Sequence, residues 1–300
     1  MRSMTKSLVT GGCGFIGSHI VDYLAELGQE VIVVDNRSAN NDQFYDNAPG
    51  VEYLKADITD YSLMSTVMED VDYVFHLAAE SRLQPAIENP IDAVTRNCVG
   101  TTVLLQAARN ACVRRFVYSS TSSGYGNNPA PSVETQPDDC LNPYSASKVA
   151  AEKFCKMYYN LYGLETVSLR YFNVFGDRSP TRGQYAPVIG IFERQKAAGE
   201  PLTIVGDGSQ KRDFVYVGDV ARANYLASIM PLREHIGEVF NVGSGKNYSI
   251  QEIADLISPE QKYLPKRAGE METTLANIDK IRSVIGWKPD VDVLEWIKNG

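Results

Sequence analysis

Histidine and tryptophan are scarce in this chain, with three and two copies in 300 residues. Three histidines, with five cysteines (Cys13, Cys98, Cys112, Cys140, Cys155) that form no C-x-x-C pair, offer no ligand set at zinc spacing. No metal is therefore expected, and the odd cysteine count without a disulfide framework speaks for a reduced, cytoplasmic chain. No apolar run approaches the ~20 residues that cross a bilayer, and the N-terminal stretch has no apolar signal core. Neither membrane insertion nor export is expected. An excess of basic charge is also lacking. Lys and Arg number 29 against 37 Asp and Glu, a net charge of −8, which argues against a nucleic-acid partner. Any anionic ligand must be held by local arginines and backbone amides. What is present, 44% hydrophobic and 22% charged residues, is the composition of a globular chain with a real core.

The first half alternates β-branched runs with amphipathic stretches. Strands are expected at Ser7–Thr10, Glu30–Asp35, Glu52–Lys55, Val71–His76, Arg115–Ser119 and Thr166–Tyr171. Helices are expected at Ile16–Leu27, Leu63–Met68, Pro90–Ala111 and Tyr144–Tyr162. Such alternation implies β-α-β units in a doubly wound parallel sheet, and the unbroken apolar run Val31–Val34 suits a strand covered on both faces. Past Gly176 glycine and proline become frequent and strands look shorter. The expected organisation is α/β: residues 1–175 form one lobe, to which 213–243 return, and 176–300 form a smaller α+β lobe.

The first strand runs into Gly11-Gly12-Cys13-Gly14-Phe15-Ile16-Gly17, which opens a helix. Gly11 suits a tight turn, Gly14 a close approach to pyrophosphate, and Gly17 helix-on-strand packing. Phosphates would then sit on the positive end of the helix dipole. The plain alternative is a glycine-rich turn without a ligand. Asp35, which ends the second strand eighteen residues after Gly17, tips the balance. A carboxylate there accepts from a ribose diol and repels a 2′-phosphate, so NAD is expected, although Arg37 nearby could favour NADP. Asn36, Asp57 and Ile58 suit the adenosine end. Leu77, Ala78 and Ala79 end the fourth strand with side chains small enough to let a dinucleotide pass, Asn97 lies in the next helix, and Ser119 and Tyr171 end later strands.

Tyr144 and Lys148 stand one helical turn apart on one face. Free tyrosine titrates near pH ~10, and a neighbouring ammonium would lower it and make a phenolate available as a base. Such spacing also occurs on ordinary helices. The run Ser119–Ser123, however, follows the fifth strand, where ligands bind in doubly wound sheets. A hydroxyl there can relay a proton to Tyr144, although a serine-rich run also suits a simple polar turn.

Taken together, the chain resembles the extended short-chain dehydrogenase/reductase family of NAD-dependent nucleotide-sugar epimerases and dehydratases. The marks are Gly11–Gly17, Asp35, His76–Ala79, Asn97 with Gly100-Thr101, Thr121 with Tyr125-Gly126, Tyr144 with Lys148, Arg170–Gly176, Arg212–Val215 and Gly286-Trp287. The resemblance implies a Rossmann fold, NAD as cofactor and Tyr144, Lys148 and Thr121 as the catalytic set. It also implies a homodimer paired through the helix of Tyr144 and the long helix before it, or else those apolar stripes serve an ordinary core.

Three functions stay open. Dehydratases share His76–Ser81, yet they follow the threonine with Asp-Glu, where this chain has Ser122 and Ser123. Glu80 could in principle serve as the acid that expels water, but it lies in another loop, so elimination is disfavoured. A 4-epimerase of a UDP-sugar needs only what is present: transient oxidation at C4, rotation of the 4-keto sugar and return of hydride. UDP follows the family's commonest use. A non-catalytic NAD-binding regulator would characteristically lack the tyrosine or lysine. By resemblance the substrate is held by Asn173, Arg212 and Arg267 besides Thr121 and Tyr144. The position seven past Arg267, which gates the C2 substituent, is the small Thr274. That favours UDP-GlcNAc and UDP-GalNAc, with UDP-Glc and UDP-Gal also accepted. Arg82 could instead pair with a uronate, as in a UDP-glucuronate or UDP-GlcNAc uronate 4-epimerase.

Overall fold

The computed structural model describes residues 4–39, 43–181, 186–266 and 271–299. Its strands are β1 Lys6–Thr10, β2 Glu30–Asp35, β3 Glu52–Lys55, β4 Tyr73–His76, β5 Arg115–Thr121, β6 Thr166–Tyr171 and β7 Asn173–Phe175. They continue with β8 Leu202–Val205, β9 Lys211–Arg212, β10 Phe214–Tyr216, β11 Val239–Val242, β12 Tyr248–Ser249 and β13 Gln261–Leu264. The helices are α1 Phe15–Glu26, α2 Tyr61–Val67, α3 Leu83–Glu88, α4 Pro90–Val94, α5 Thr101–Asn110 and α6 Pro143–Tyr162. After them come α7 Val188–Ala197, α8 Val217–Ile229, α9 Ile250–Ile257, α10 Asp279–Ile285 and α11 Val293–Asn299.

Seven strands form a parallel sheet in the order β11-β6-β5-β4-β1-β2-β3. Its apolar runs are continuous because alternate residues feed two cores. Val9, Val31, Val33, Phe75, Val117, Val167 and Leu169 pack beneath α1 and α8. Leu8, Ile32, Val34, Val74, Phe116 and Tyr118 pack beneath α2, α5 and α6. Each such side chain contributes about 1.5–3 kcal/mol on burial. Strand order reverses between β1 and β4, so the sheet opens a crevice at their carboxyl ends.

A third core gathers Phe175, Ile189, Phe192, Leu202, Ile204, Phe214, Ile250, Ile253 and Val293 around α7, α9 and α11. Helix α9 opens on a capping box, Ser249 with Glu252, and stops at Ile257 before Pro259. The short connection after it carries β13, which pairs in parallel with β8. Trp287 is fully buried and ties the C-terminal region to α8 by donating to the Asp219 carbonyl at 2.9 Å. No helix among the described residues is long and apolar enough to cross a membrane.

The expected single helix Pro90–Ala111 is instead α4, a π-helical turn at Thr95–Gly100, and α5. Asn97 draws the turn inward, accepting from Glu80 N at 2.8 Å and donating to Glu80 O at 3.0 Å and Ser147 Oγ at 2.9 Å. The hydroxyls of Thr101 and Thr102 donate to the carbonyls of Asn97 and Cys98, at 2.6 and 2.8 Å. Helix α3 is also present where no helix was expected.

Candidate active site

A cleft of about 380 Å³ lies at the carboxyl ends of the sheet. Its floor is the glycine turn. Gly11 has φ +72°, and a Cβ on it would meet Ala78 N at 2.7 Å. A Cβ on Gly17 would meet the Gly11 carbonyl at 2.2 Å, so these two positions require glycine. Gly14 caps α1 without a side-chain bond, and no acidic residue stands in the first turn. The first helical bond runs from Ser18 N to Gly14 O at 2.9 Å, so the amides of Phe15, Ile16 and Gly17 precede the ladder. A pyrophosphate fits donors arranged in this way.

Asp35 lines the cleft, accepting from Cys13 N at 3.1 Å and Arg37 N at 2.7 Å. The Arg37 guanidinium pairs with Asp46, so the cation that could attract a 2′-phosphate is engaged elsewhere. Burial alone would raise the Asp57 carboxyl. The Thr59 amide and hydroxyl, Asn36 and Arg96 outweigh burial and hold it below the ordinary range. The residues present therefore fit NAD.

His76 is buried between two hydroxyls, with Nδ1 2.7 Å from Thr10 Oγ1 and Nε2 2.8 Å from Thr101 Oγ1. Because Thr101 spends its proton on the Asn97 carbonyl, Nε2 carries the imidazole hydrogen. Burial, with Lys148 adding to it, pushes this histidine well below 6.5, so the ring is neutral.

Helix α6 starts at Pro143, and Asn142 caps it by accepting from Ser145 N at 2.9 Å. This start sets Tyr144 and Lys148 on the cleft wall. Thr121, at the end of β5, meets the Tyr144 phenol and accepts from Ser123 N at 3.1 Å, so its own proton is available to the phenol. Burial is the largest influence on Tyr144 and raises it; Thr121 opposes and Glu80 adds to the rise. The depression by Lys148 expected from the spacing is not among these influences. The ammonium lies 4.4 Å from the Tyr118 ring centre, facing that ring. Burial pushes Lys148 down to about 8, against Cys155, Glu152 and Cys98. Tyr171 donates to Asn224 Oδ1 at 2.9 Å and accepts from Ser119 Oγ at 2.8 Å, which locks two further cleft residues.

Most of the expected cofactor residues meet here: Gly11, Gly14, Phe15, Ile16, Gly17, Asp35, Asn36, Asp57 and Ile58 line the cleft. So do Leu77, Ala78, Ala79, Ser119, Tyr144, Lys148 and Tyr171. Asn97 does not; its amide is spent inside the fold at 1% exposure. Of the expected substrate residues, Arg82, Thr121 and Tyr144 line the cleft. Asn173 Nδ2 donates to Asp213 O at 3.0 Å and Thr274 Oγ1 at 3.2 Å, and Thr274 is only 4% exposed. Arg212 donates to the carbonyl of Lys211 at 3.0 Å. None of Asn173, Thr274 and Arg212 lines the cleft. Arg267, with the Arg267–Glu270 motif, lies outside the described residues. The motif aspartate Asp213 is fully buried and accepts from Ser244 N, Gly245 N and Ala276 N at 2.6, 3.1 and 2.9 Å. Reading the sequence missed Ser38, Arg96, Ser120, Phe172 and Val174, which also line the cleft. Only Ser120, Phe172 and Val174 had a signal, as neighbours of motif residues.

A family model described as "NAD dependent epimerase/dehydratase family" matches residues 7–243. The UDP-glucose 4-epimerase of Mycolicibacterium smegmatis is 37% identical over 97% of this chain and 96% of its own length. Among solved structures, UDP-glucose 4-epimerase of Thermotoga maritima with UDP-glucose superposes with a TM-score of 0.92 at 34% identity, covering 98% of this chain and 96% of that one. The UDP-N-acetylglucosamine 4-epimerase of Methanobrevibacter ruminantium, in complex with UDP-N-acetylmuramic acid, gives 0.92 at 35% identity over the same shares, 98% and 96%. With the sheet, the glycine turn and the Tyr144–Lys148 helix in place, the chain belongs to the NAD-dependent epimerase/dehydratase family.

Proposed function

We propose that this enzyme is a UDP-sugar 4-epimerase, with UDP-GlcNAc and UDP-GalNAc as its preferred pair and UDP-Glc and UDP-Gal also accepted. The observation that carries the reading is the Thr121–Tyr144 couple, followed by Ser122 and Ser123 where an eliminating enzyme needs an acid. Bound NAD supplies a hydride acceptor that later gives the hydride back. Tyr144, with Thr121 donating to it, would take the proton from sugar O4 as a phenolate, the form that the positive nicotinamide of bound NAD would favour against burial, and return it when the carbonyl is reduced. Lys148, charged below about 8, supplies positive charge to the cleft. The glycine-turn amides hold the cofactor pyrophosphate, and Asp35 the ribose. Asn173, Arg212 and Arg267 are assigned to the sugar nucleotide by family position, and the N-acetyl preference rests likewise on family position, which puts the small Thr274 at the gate of the C2 substituent. The cleft-lining Arg82 supports a second reading, in which the substrate is a uronate.

The same reading includes two lobes divided near residue 175, with 213–243 returning to the first. The pairing of β11 with β6 and the packing of α8 on α1 support this division. A cytoplasmic setting is proposed on five free thiols. A homodimer through the stretch Pro90–Ala111 and α6 is proposed on apolar side chains exposed on α4 and α6, among them Ile91 at 78% and Leu161 at 67%. Light scattering is expected to give twice the chain mass, falling toward one chain in Ile91→Asp.

Proton NMR of the NAD-loaded protein with UDP-GlcNAc, UDP-Glc and UDP-GlcNAc uronate tests the reaction. Interconversion of UDP-GlcNAc and UDP-GalNAc without net NADH is expected. Turnover of the uronate alone would transfer the assignment to the second reading, and a 4-keto-6-deoxy product would make the enzyme a dehydratase. No turnover of any UDP-sugar by protein that holds NAD would sink the epimerase reading.

A further inference from the structure

We infer that Arg96 and Ser38 form a latch across the adenosine end of the cleft that retains the bound dinucleotide, an inference that rests on this cleft being the NAD site. A continuous chain of hydrogen bonds spans that end. Asn36 Nδ2 donates to Asp57 Oδ2 at 2.8 Å, and Ser38 N donates to Asn36 Oδ1 at 3.0 Å. Arg96 Nη1 donates to Ser38 Oγ at 2.6 Å, and Arg96 Nε pairs with Asp92 Oδ2 at 2.8 Å. The chain begins where β2 and β3 end and finishes on α4, and Asn36, Ser38, Asp57 and Arg96 all line the cleft. The link between its sheet side and its helix side is the Arg96–Ser38 bond.

The π-helical turn explains how Arg96 reaches that position. Its neighbour Asn97 is anchored to Glu80 and Ser147, which holds the turn against the sheet and α6 while Arg96 points across the opening. The guanidinium also acts on Asp57, which it helps to keep ionised. Arg96 and Asp92 are 32% and 35% exposed, so the bond opens by side-chain rotation without disturbing the core. A planar cation over this end suits an adenine face, while Asp35 and Asp57 disfavour a 2′-phosphate. A latch also agrees with a redox-neutral cycle. An epimerase recovers its hydride within each turnover, so the dinucleotide need not leave, whereas a dehydrogenase must exchange it.

The test follows NAD release from loaded protein into a large excess of an NAD-scavenging dehydrogenase, with no sugar present. Arg96→Ala and Ser38→Ala are each expected to speed release by about tenfold or more, the effect of losing one charge-assisted hydrogen bond. Acid extraction should recover less NAD from either purified variant than from the parent. Unchanged release in both variants would overturn the latch. Faster release in Arg96→Ala alone would overturn it too, since the arginine would then act by its own contact and not through Ser38. Because no sugar is needed, a protein that shows the latch but epimerises nothing would fail only the reading of the reaction.

Discussion

Tyr144→Phe is expected to lower epimerase turnover by about 10²- to 10⁴-fold, the range that a positioned acid–base group contributes. The substitution removes one oxygen from the cleft wall and leaves the ring, the helix start at Asn142 and the glycine turn untouched. The loss should therefore appear in kcat measured by NMR, while the unfolding midpoint changes little. A variant with parental turnover would dismiss Tyr144 as the base. The parent's pH profile supplies a second check. Lys148 sits at about 8 because burial disfavours its charge, so the ammonium is present below that pH and lost as pH rises through it. Turnover should fall along an alkaline limb near 8. Lys148→Met should abolish that limb together with most of the activity.

Glu152→Ala is expected to destabilise the fold by about 3–5 kcal/mol, the cost of leaving one partner of a buried ion pair alone. Glu152 and Arg170 are each 2% exposed. Arg170 Nε and Nη2 reach the two carboxylate oxygens at 2.8 and 2.7 Å, and Ser120 Oγ donates to Glu152 at 2.5 Å. The pair thus fastens α6, which carries Tyr144 and Lys148, to β5 and β6. Asp138 compensates part of the arginine at 2.6 Å, yet Arg170 Nη1 has no bonded partner. The network is incompletely satisfied, so removing both charges with packing retained should cost far less than removing one. Glu152→Met/Arg170→Met should recover most of the loss in urea unfolding. A single variant within 1 kcal/mol of the parent would show that the pair contributes little, against a total that is typically about 5–15 kcal/mol.

Much of the sheet was legible because burial on both faces leaves an unbroken apolar run. Glu30–Asp35, Glu52–Lys55 and Thr166–Tyr171 were read with their observed ends. The π-helical turn was not legible, since its cause is the tertiary bonding of Asn97 to Glu80 and Ser147, residues 17 and 50 positions away. Asn97 was read as a cofactor residue on its position alone, and its amide proved to be committed to the fold. Ser38 and Arg96 carried no local pattern. They are separated by 58 positions and meet only because β2 and the π-helical turn border the same crevice.

The dinucleotide turn and the Tyr144–Lys148 spacing are local, each set by residues within a turn or two of one another, and the order of such short motifs along the chain carries the family. Folding decided where the charges act. It faced Lys148 toward Tyr118, turned Arg37 to Asp46 and buried Thr274 under Asn173. These outcomes depend on distance and desolvation across separate elements, and neither quantity is encoded in local spacing.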